Sequence, residues 1–74
     1  MGYDYSLLDG KIVEVFGTRG EFAKAMKFSE RTLSLKMNGK VPWKQTEITK
    51  ACKLLKIADK KINLYFFAMK VQSV

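Results

Sequence analysis

The sequence predicts a small all-α domain of about five short helices with an extended tail. Apolar residues recur every three or four positions along successive stretches, which is the period of an amphipathic helix. Residues that favour helix starts, and glycines that favour helix ends, separate these stretches. With 74 residues, 47% of them hydrophobic, the chain predicts one folded domain over residues 1–74, near the size at which a single core is marginally stable.

The first helix is predicted from Ser6 to about Phe16. Ser6 and Asp9 resemble a weak capping box, and Gly17 suits the residue that ends the helix. We assign this helix to the core scaffold. Its predicted inner face consists of Leu8, Ile12, Val15 and Phe16.

Two closely spaced helices are predicted next, over residues 19–26 and 30–37. Thr18 and Glu21 form a capping box for the first, and Ser29 is a favourable N-cap for the second. Phe28 lies between the helices, and Asn38-Gly39 ends the second. The predicted inner faces consist of Phe22, Ala23 and Met26 in one helix and of Leu33 and Met37 in the other.

The remaining faces of these two helices are basic. Two amphipathic helices that share a core and present a basic outer surface predict a helix-turn-helix over residues 18–39. The basic residues are Arg19, Lys24, Lys27, Arg31, Lys36 and Lys40.

A fourth helix is predicted over residues 45–55, after a connector that contains Pro42. Trp43 is assigned to the edge of the core. Glu47 indicates that Lys44 is the N-cap, although lysine caps poorly and its charge opposes the positive helix end. Lys44 is therefore either a contact to a DNA phosphate or a tolerated surface residue. The predicted inner residues are Ile48, Ala51, Cys52 and Leu55.

A short fifth helix is predicted from Lys60 to about Phe66, with Asp59 as its cap. The following tail, residues 67–74, alternates apolar and polar residues, as a half-buried strand does. It could pair with the tail of a second subunit or lie extended across its own domain. The inward residues of the fifth helix are predicted to be Ile62, Tyr65 and Phe66.

The charge is strongly positive and unevenly distributed. Fourteen Lys and Arg against seven Asp and Glu give a net charge of +7, and residues 19–61 carry twelve of the basic and four of the acidic residues. Such a basic segment favours nucleic acid as the partner. The alternative is a solvated basic surface that keeps the protein soluble.

Catalytic and metal-binding residue types are scarce. The chain has no histidine, one cysteine (Cys52) and no clustered carboxylates, so the usual catalytic and metal constellations cannot be assembled. We therefore expect no enzyme, no cofactor, no metal and no small-molecule substrate. The lone cysteine, and the absence of a signal peptide or a membrane-length apolar run, predict a cytoplasmic protein without membrane contact.

The central stretch has a sequence pattern at Thr18-Arg19, Phe22-Ala23, Lys27-Phe28-Ser29, Leu33-Ser34 and Asn38-Gly39. In this pattern it resembles phage helix-turn-helix regulators of the Cro and lambda-repressor type. Residues 29–40, 43–48 and 65–72 carry a narrower resemblance, to small Cro-like proteins of phages of low-GC Gram-positive bacteria, and it extends over nearly the whole chain. The sequence departs from the family pattern at two positions: Arg19 replaces the usual Gln, and Lys27 replaces the Gly of the turn. A lysine in the left-handed conformation would cost about 1–2 kcal/mol. The alternative is that the turn takes another path.

The resemblance implies a Cro-type regulator that binds operator DNA in a lysis–lysogeny switch, as a homodimer on a roughly palindromic site. It places recognition helix 30–37 in the major groove. The residues implied to face bases are Glu30, Arg31, Ser34 and Leu35. The residues assigned to phosphates are Thr18, Arg19, Lys36, Asn38, Lys40 and Lys44.

A second hypothesis concerns a protein partner. Leu35 suits a protein surface as well as a thymine methyl, and Glu30 is unfavourable near phosphates. Some Cro-like proteins of these phages resemble modulators of repression, which bind the phage repressor and block its DNA-reading surface. In that case Glu30, Arg31 and Leu35 would form a protein interface.

Overall fold

The computed structural model describes residues 2–69, and five α-helices in this part of the chain confirm the all-α prediction. The predicted bounds of the first four helices agree with the structure. The fifth is shorter than predicted, because a 3₁₀ turn, Asp59–Lys61, occupies its first residues. The helices are α1 (Ser6–Phe16), α2 (Arg19–Met26), α3 (Glu30–Met37), α4 (Gln45–Leu55) and α5 (Ile62–Phe66).

The core lies between α1 and the helices around it. α1 packs against α2, α4 and α5, while α3 packs against α2. Val15 was predicted to face inward but is 42% exposed, since Phe16 makes the contact of this last turn, with its ring 5.4 Å from that of Phe22. The buried apolar residues are Leu8, Ile12, Phe22, Ala23, Met26, Leu33, Met37, Ala51, Cys52, Leu55, Ile57 and Phe66.

Two of the predicted helix caps are confirmed. The Thr18 hydroxyl accepts a hydrogen bond from the Glu21 N–H at 3.2 Å, and the Ser29 hydroxyl accepts one from the Thr32 N–H at 3.0 Å. The predicted cap at Ser6 is wrong. Ser6 is already helical, and its N–H donates to the Asp4 carboxylate at 2.9 Å, so the acceptor lies two residues earlier in the chain.

The turn between α2 and α3 adopts the left-handed conformation at Lys27, with φ +64°. The alternative path for this turn is therefore wrong. The Phe28 N–H donates to Ala23 O at 2.8 Å and the Lys27 N–H donates to Lys24 O at 3.0 Å. These two bonds form a Schellman motif, which satisfies the carbonyls at the end of α2 and offsets the strain at lysine.

The described part of the tail lies against the N-terminal segment of its own chain. Tyr3 and Met69 form an antiparallel bridge, and the Asp4 N–H donates to Ala68 O at 2.6 Å. The rest of the predicted strand, residues 70–74, lies outside the described residues. None of the described helices is both long and apolar enough to cross a membrane.

Candidate functional site

Four residues predicted to face bases lie along α3, and we call Glu30, Arg31, Ser34 and Leu35 the α3 surface. Arg31 is exposed, and Leu35 is half-buried one turn later on the same stripe of the helix. Leu35 does not belong to the partly buried side chains that pack on the described core. Ser34 accepts a hydrogen bond from the Asn38 amide at 3.4 Å. The α3 surface therefore combines a cation, an apolar side chain and a hydroxyl.

The Glu30 carboxylate adds a negative charge at one end of the α3 surface. It lies against the first turn of α2. Its closeness is shown by the space at Gly20, where an added Cβ atom would be 2.5 Å from Glu30 Oε1. The same Cβ would be 3.8 Å from the Thr18 hydroxyl that caps α2. A carboxylate beside a helix start is favoured by the partial positive charge of the free amides there.

Lys36 does not lie on the outer surface, so its prediction as a phosphate contact is wrong. The residue is only 3% exposed. Its ammonium donates to Pro42 O at 2.9 Å and to Glu47 Oε1 at 2.8 Å, and it lies 5.3 Å from the centroid of the Phe28 ring. Lys36 follows the buried Leu33 by three residues, which places it on the core side of α3 rather than with Arg31.

The Lys36–Glu47 ion pair joins α3 to the connector and to α4. Glu47 Oε1 also accepts from the Lys44 N–H at 2.9 Å, as the predicted cap requires. The other half of a capping box cannot form, since an ammonium has no lone pair to accept with. Burial opposes the charged carboxylate, but the hydrogen bonds from Lys36 and the Lys44 N–H, together with both positive charges, lower the pKa of Glu47 overall.

Trp43 completes the inner side of this junction. Its ring lies 5.2 Å from that of Phe66 in an edge contact and 6.0 Å from that of Phe28, which confirms its assignment to the core edge. The Lys36 ammonium lies 5.8 Å from the Trp43 ring. The Phe28 and Trp43 rings thus lie beside the buried ammonium and limit its access to water.

Arg19, predicted to contact phosphate, forms an ion pair within the chain. Its Nε donates to Asp9 Oδ1 at 2.6 Å, which ties the start of α2 to α1. This hydrogen bond lowers the pKa of Asp9 more than partial burial raises it. The pair is half exposed, and the role of Arg19 toward a phosphate stays a prediction.

The other residues assigned to phosphates lie at the surface. Lys40 and Lys44 are exposed at the two ends of the connector, and Asn38 is exposed at the end of α3. The Thr18 hydroxyl is exposed but is used as the cap of α2. Their roles stay predictions. Because Lys36 and Arg19 are already paired with Glu47 and Asp9, the surface around α3 is less positive than the composition suggests.

The Lys36–Glu47 pair was not predicted from the sequence. The available signal was the position of Lys36 on the Leu33 side of a short helix, combined with a carboxylate already assigned to the next helix start. The pair joins residues eleven positions apart and depends on the path of the connector. Local periodicity alone does not specify that path.

Comparison with known proteins identifies the family. Residues 1–69 match the family described as "Protein of unknown function (DUF739)", and the chain belongs to it. The fold is similar to the solution structure of the modulator of repression of the temperate bacteriophage TP901-1 from Lactococcus lactis, with 54% sequence identity, a TM-score of 0.80 and coverage of 97% of each chain. No curated protein sequence gives a significant match.

Proposed function

We propose that this protein is an antirepressor of a temperate phage. It binds the DNA-binding domain of the phage repressor through the α3 surface and blocks or alters operator binding by that repressor. It acts by binding alone, without catalysis or a cofactor. In this proposal α2 and α3 form a helix-turn-helix of the lambda-repressor type that serves as a protein interface.

The observation that carries this proposal is the mixed character of the α3 surface. Arg31 and the partly exposed Leu35 share helix α3 with the Glu30 carboxylate, whereas a DNA backbone presents negative charge alone. Protein interfaces combine apolar contacts with charges of both signs. The full-length similarity to a phage modulator of repression supports the same proposal.

Direct operator binding, as in a Cro-type repressor, is the second candidate. The exposed cations Arg31, Lys40 and Lys44 around α3 favour it. In that case Arg31 would read a base edge and the two lysines would contact phosphates. The two candidates share the same surface and differ in the partner that it meets.

A gel-shift titration of the phage operator region, with and without the phage repressor, tests the proposal. We expect no shift by this protein alone and a lost or altered repressor shift when the two proteins are mixed. An operator shift by this protein alone, together with an unchanged repressor shift on mixing, would contradict the antirepressor and support the Cro-type alternative.

A further inference from the structure

The position of the Glu30 carboxylate has a consequence for what the α3 surface can bind. The carboxylate lies against Gly20 in the first turn of α2, close to the Thr18 cap. No ion pair among the described residues includes Glu30, and the nearby cation of α2, Arg19, is bonded to Asp9. The Glu30 carboxylate therefore lies beside the start of α2 without an ion-pair partner among the described residues.

The start of a helix is a favourable place for an anion, because free backbone N–H groups and the helix dipole point there. When a helix-turn-helix docks on DNA, the first helix of the motif crosses the backbone, and helix N-termini are among the groups that contact phosphates. In this protein the Glu30 side chain already supplies an anion at that position. A phosphate that approached α2 would meet a like charge.

We propose that Glu30 is a specificity-determining residue that turns this helix-turn-helix from DNA toward protein. Its carboxylate excludes a phosphate from the start of α2 and binds an arginine or lysine side chain of the partner. This inference rests on the antirepressor function proposed above and assigns the chemistry of the contact. A repressor domain that itself binds phosphates carries such cations on its DNA-binding surface.

The first test measures binding to DNA. Fluorescence anisotropy with a labelled 20-base-pair duplex of arbitrary sequence at low salt compares the wild type with Glu30→Gln. The matched control is Glu14→Gln, which makes the same charge change at an exposed carboxylate on α1. We expect Glu30→Gln to bind roughly tenfold more tightly than the wild type, the size of one screened charge contact near a surface, and Glu14→Gln less than about twofold.

A second variant moves the carboxylate without changing the charge. The Cβ of Gly20→Ala would occupy the space of Glu30 Oε1 and displace this flexible side chain from the start of α2. We expect its duplex affinity to lie between those of the wild type and Glu30→Gln. Alanine is compatible with a helical position, so we expect Gly20→Ala to fold. Circular dichroism checks that each variant is folded.

The second measurement is binding to the purified repressor by calorimetry. We expect Glu30→Gln to bind it about tenfold more weakly and Glu14→Gln to bind it as the wild type does. Equal duplex affinities of Glu30→Gln and Glu14→Gln would overturn the inference while leaving repressor binding as a separate result. A wild type that does not bind the repressor would overturn the proposed function, and the duplex comparison would still decide whether Glu30 repels phosphate.

Discussion

Helix α3 carries two cations with opposite environments. Lys36 is 3% exposed and donates hydrogen bonds to Pro42 O and Glu47, whereas Arg31 is exposed on the α3 surface. The two residues differ in their position relative to Leu33, which faces the core. Lys36 lies three residues after Leu33 and Arg31 two residues before it, so they point to opposite sides of the helix.

This difference separates a residue that supports stability from one that we propose for recognition, within one short helix. A buried ion pair is sensitive to the loss of either partner, because the other charge is then left without compensation in a poorly solvated place. An exposed arginine has little effect on folding when it is replaced. The same positive charge therefore supports the fold at Lys36 and is available to a partner at Arg31.

The largest effect on stability is expected for Glu47→Ala. This change leaves the Lys36 ammonium buried without its carboxylate and removes the acceptor for the Lys44 N–H. We expect the free energy of unfolding to fall by about 3–4 kcal/mol, as when one partner of a buried pair is removed. Urea denaturation followed by circular dichroism measures it.

The control for this prediction is Glu14→Ala, whose carboxylate forms an exposed pair with Lys11 on α1. Exposed pairs of this kind contribute little to stability, because water and salt screen the two charges. Equal losses in Glu47→Ala and Glu14→Ala would show that the Lys36–Glu47 pair does not stabilise the junction of α3 and α4.

A smaller effect is expected from acid. The folded-state pKa of Glu47 is lowered, so its contribution to stability is present above its ordinary value of 4.5 and is lost as the pH falls through the folded value. Asp9 acts in the same direction through its hydrogen bond from Arg19. We therefore expect the free energy of unfolding to decrease below pH 4.5, and to decrease less steeply in Glu47→Gln.

Urea titrations of the wild type and Glu47→Gln at several pH values between about 3 and 7 measure this slope, because linkage relates the slope to proton uptake on unfolding. Asp9→Asn is the companion variant, for which we also expect a reduced slope, since the pKa of Asp9 is lowered too. Identical slopes in all three proteins would mean that other carboxylates dominate the acid response.

The sequence predicts features that depend on neighbouring residues better than those that depend on distant ones. The Thr18 and Ser29 caps and the buried face of Phe22 and Leu33 follow from signals within one helical turn. The 3₁₀ turn before α5 and the burial of Lys36 do not, because each depends on how distant segments meet. A lysine in a basic stretch is expected to be exposed to solvent. Lys36 is buried instead, because the connector and Glu47 pack against it.

The candidate site shows the same limit. Spacing along a helix places Arg31 and Leu35 on one outer stripe, which the structure also shows. The contact of Glu30 with the start of α2 requires a Gly at position 20, since any larger residue would occupy the space of the carboxylate. That pairing of two helices could not be derived from either helix alone.

The smallest effect on stability, and the largest on binding, is expected for Arg31→Ala. The side chain is exposed, so the free energy of unfolding should change by less than about 0.5 kcal/mol. Affinity for the repressor should fall at least about tenfold, because an exposed arginine that becomes buried against a partner is a frequent energetic centre of protein interfaces. Calorimetry with the repressor and urea denaturation measure the two quantities on the same sample.

Lys53→Ala is the matched control for Arg31→Ala, since it removes an exposed cation from α4, outside the α3 surface. We expect it to retain both stability and repressor affinity. If Lys53→Ala weakened repressor binding as much as Arg31→Ala, general charge attraction would explain the complex. A selective loss in Arg31→Ala instead assigns binding to the outer side of α3, while the loss of stability in Glu47→Ala assigns folding to its inner side.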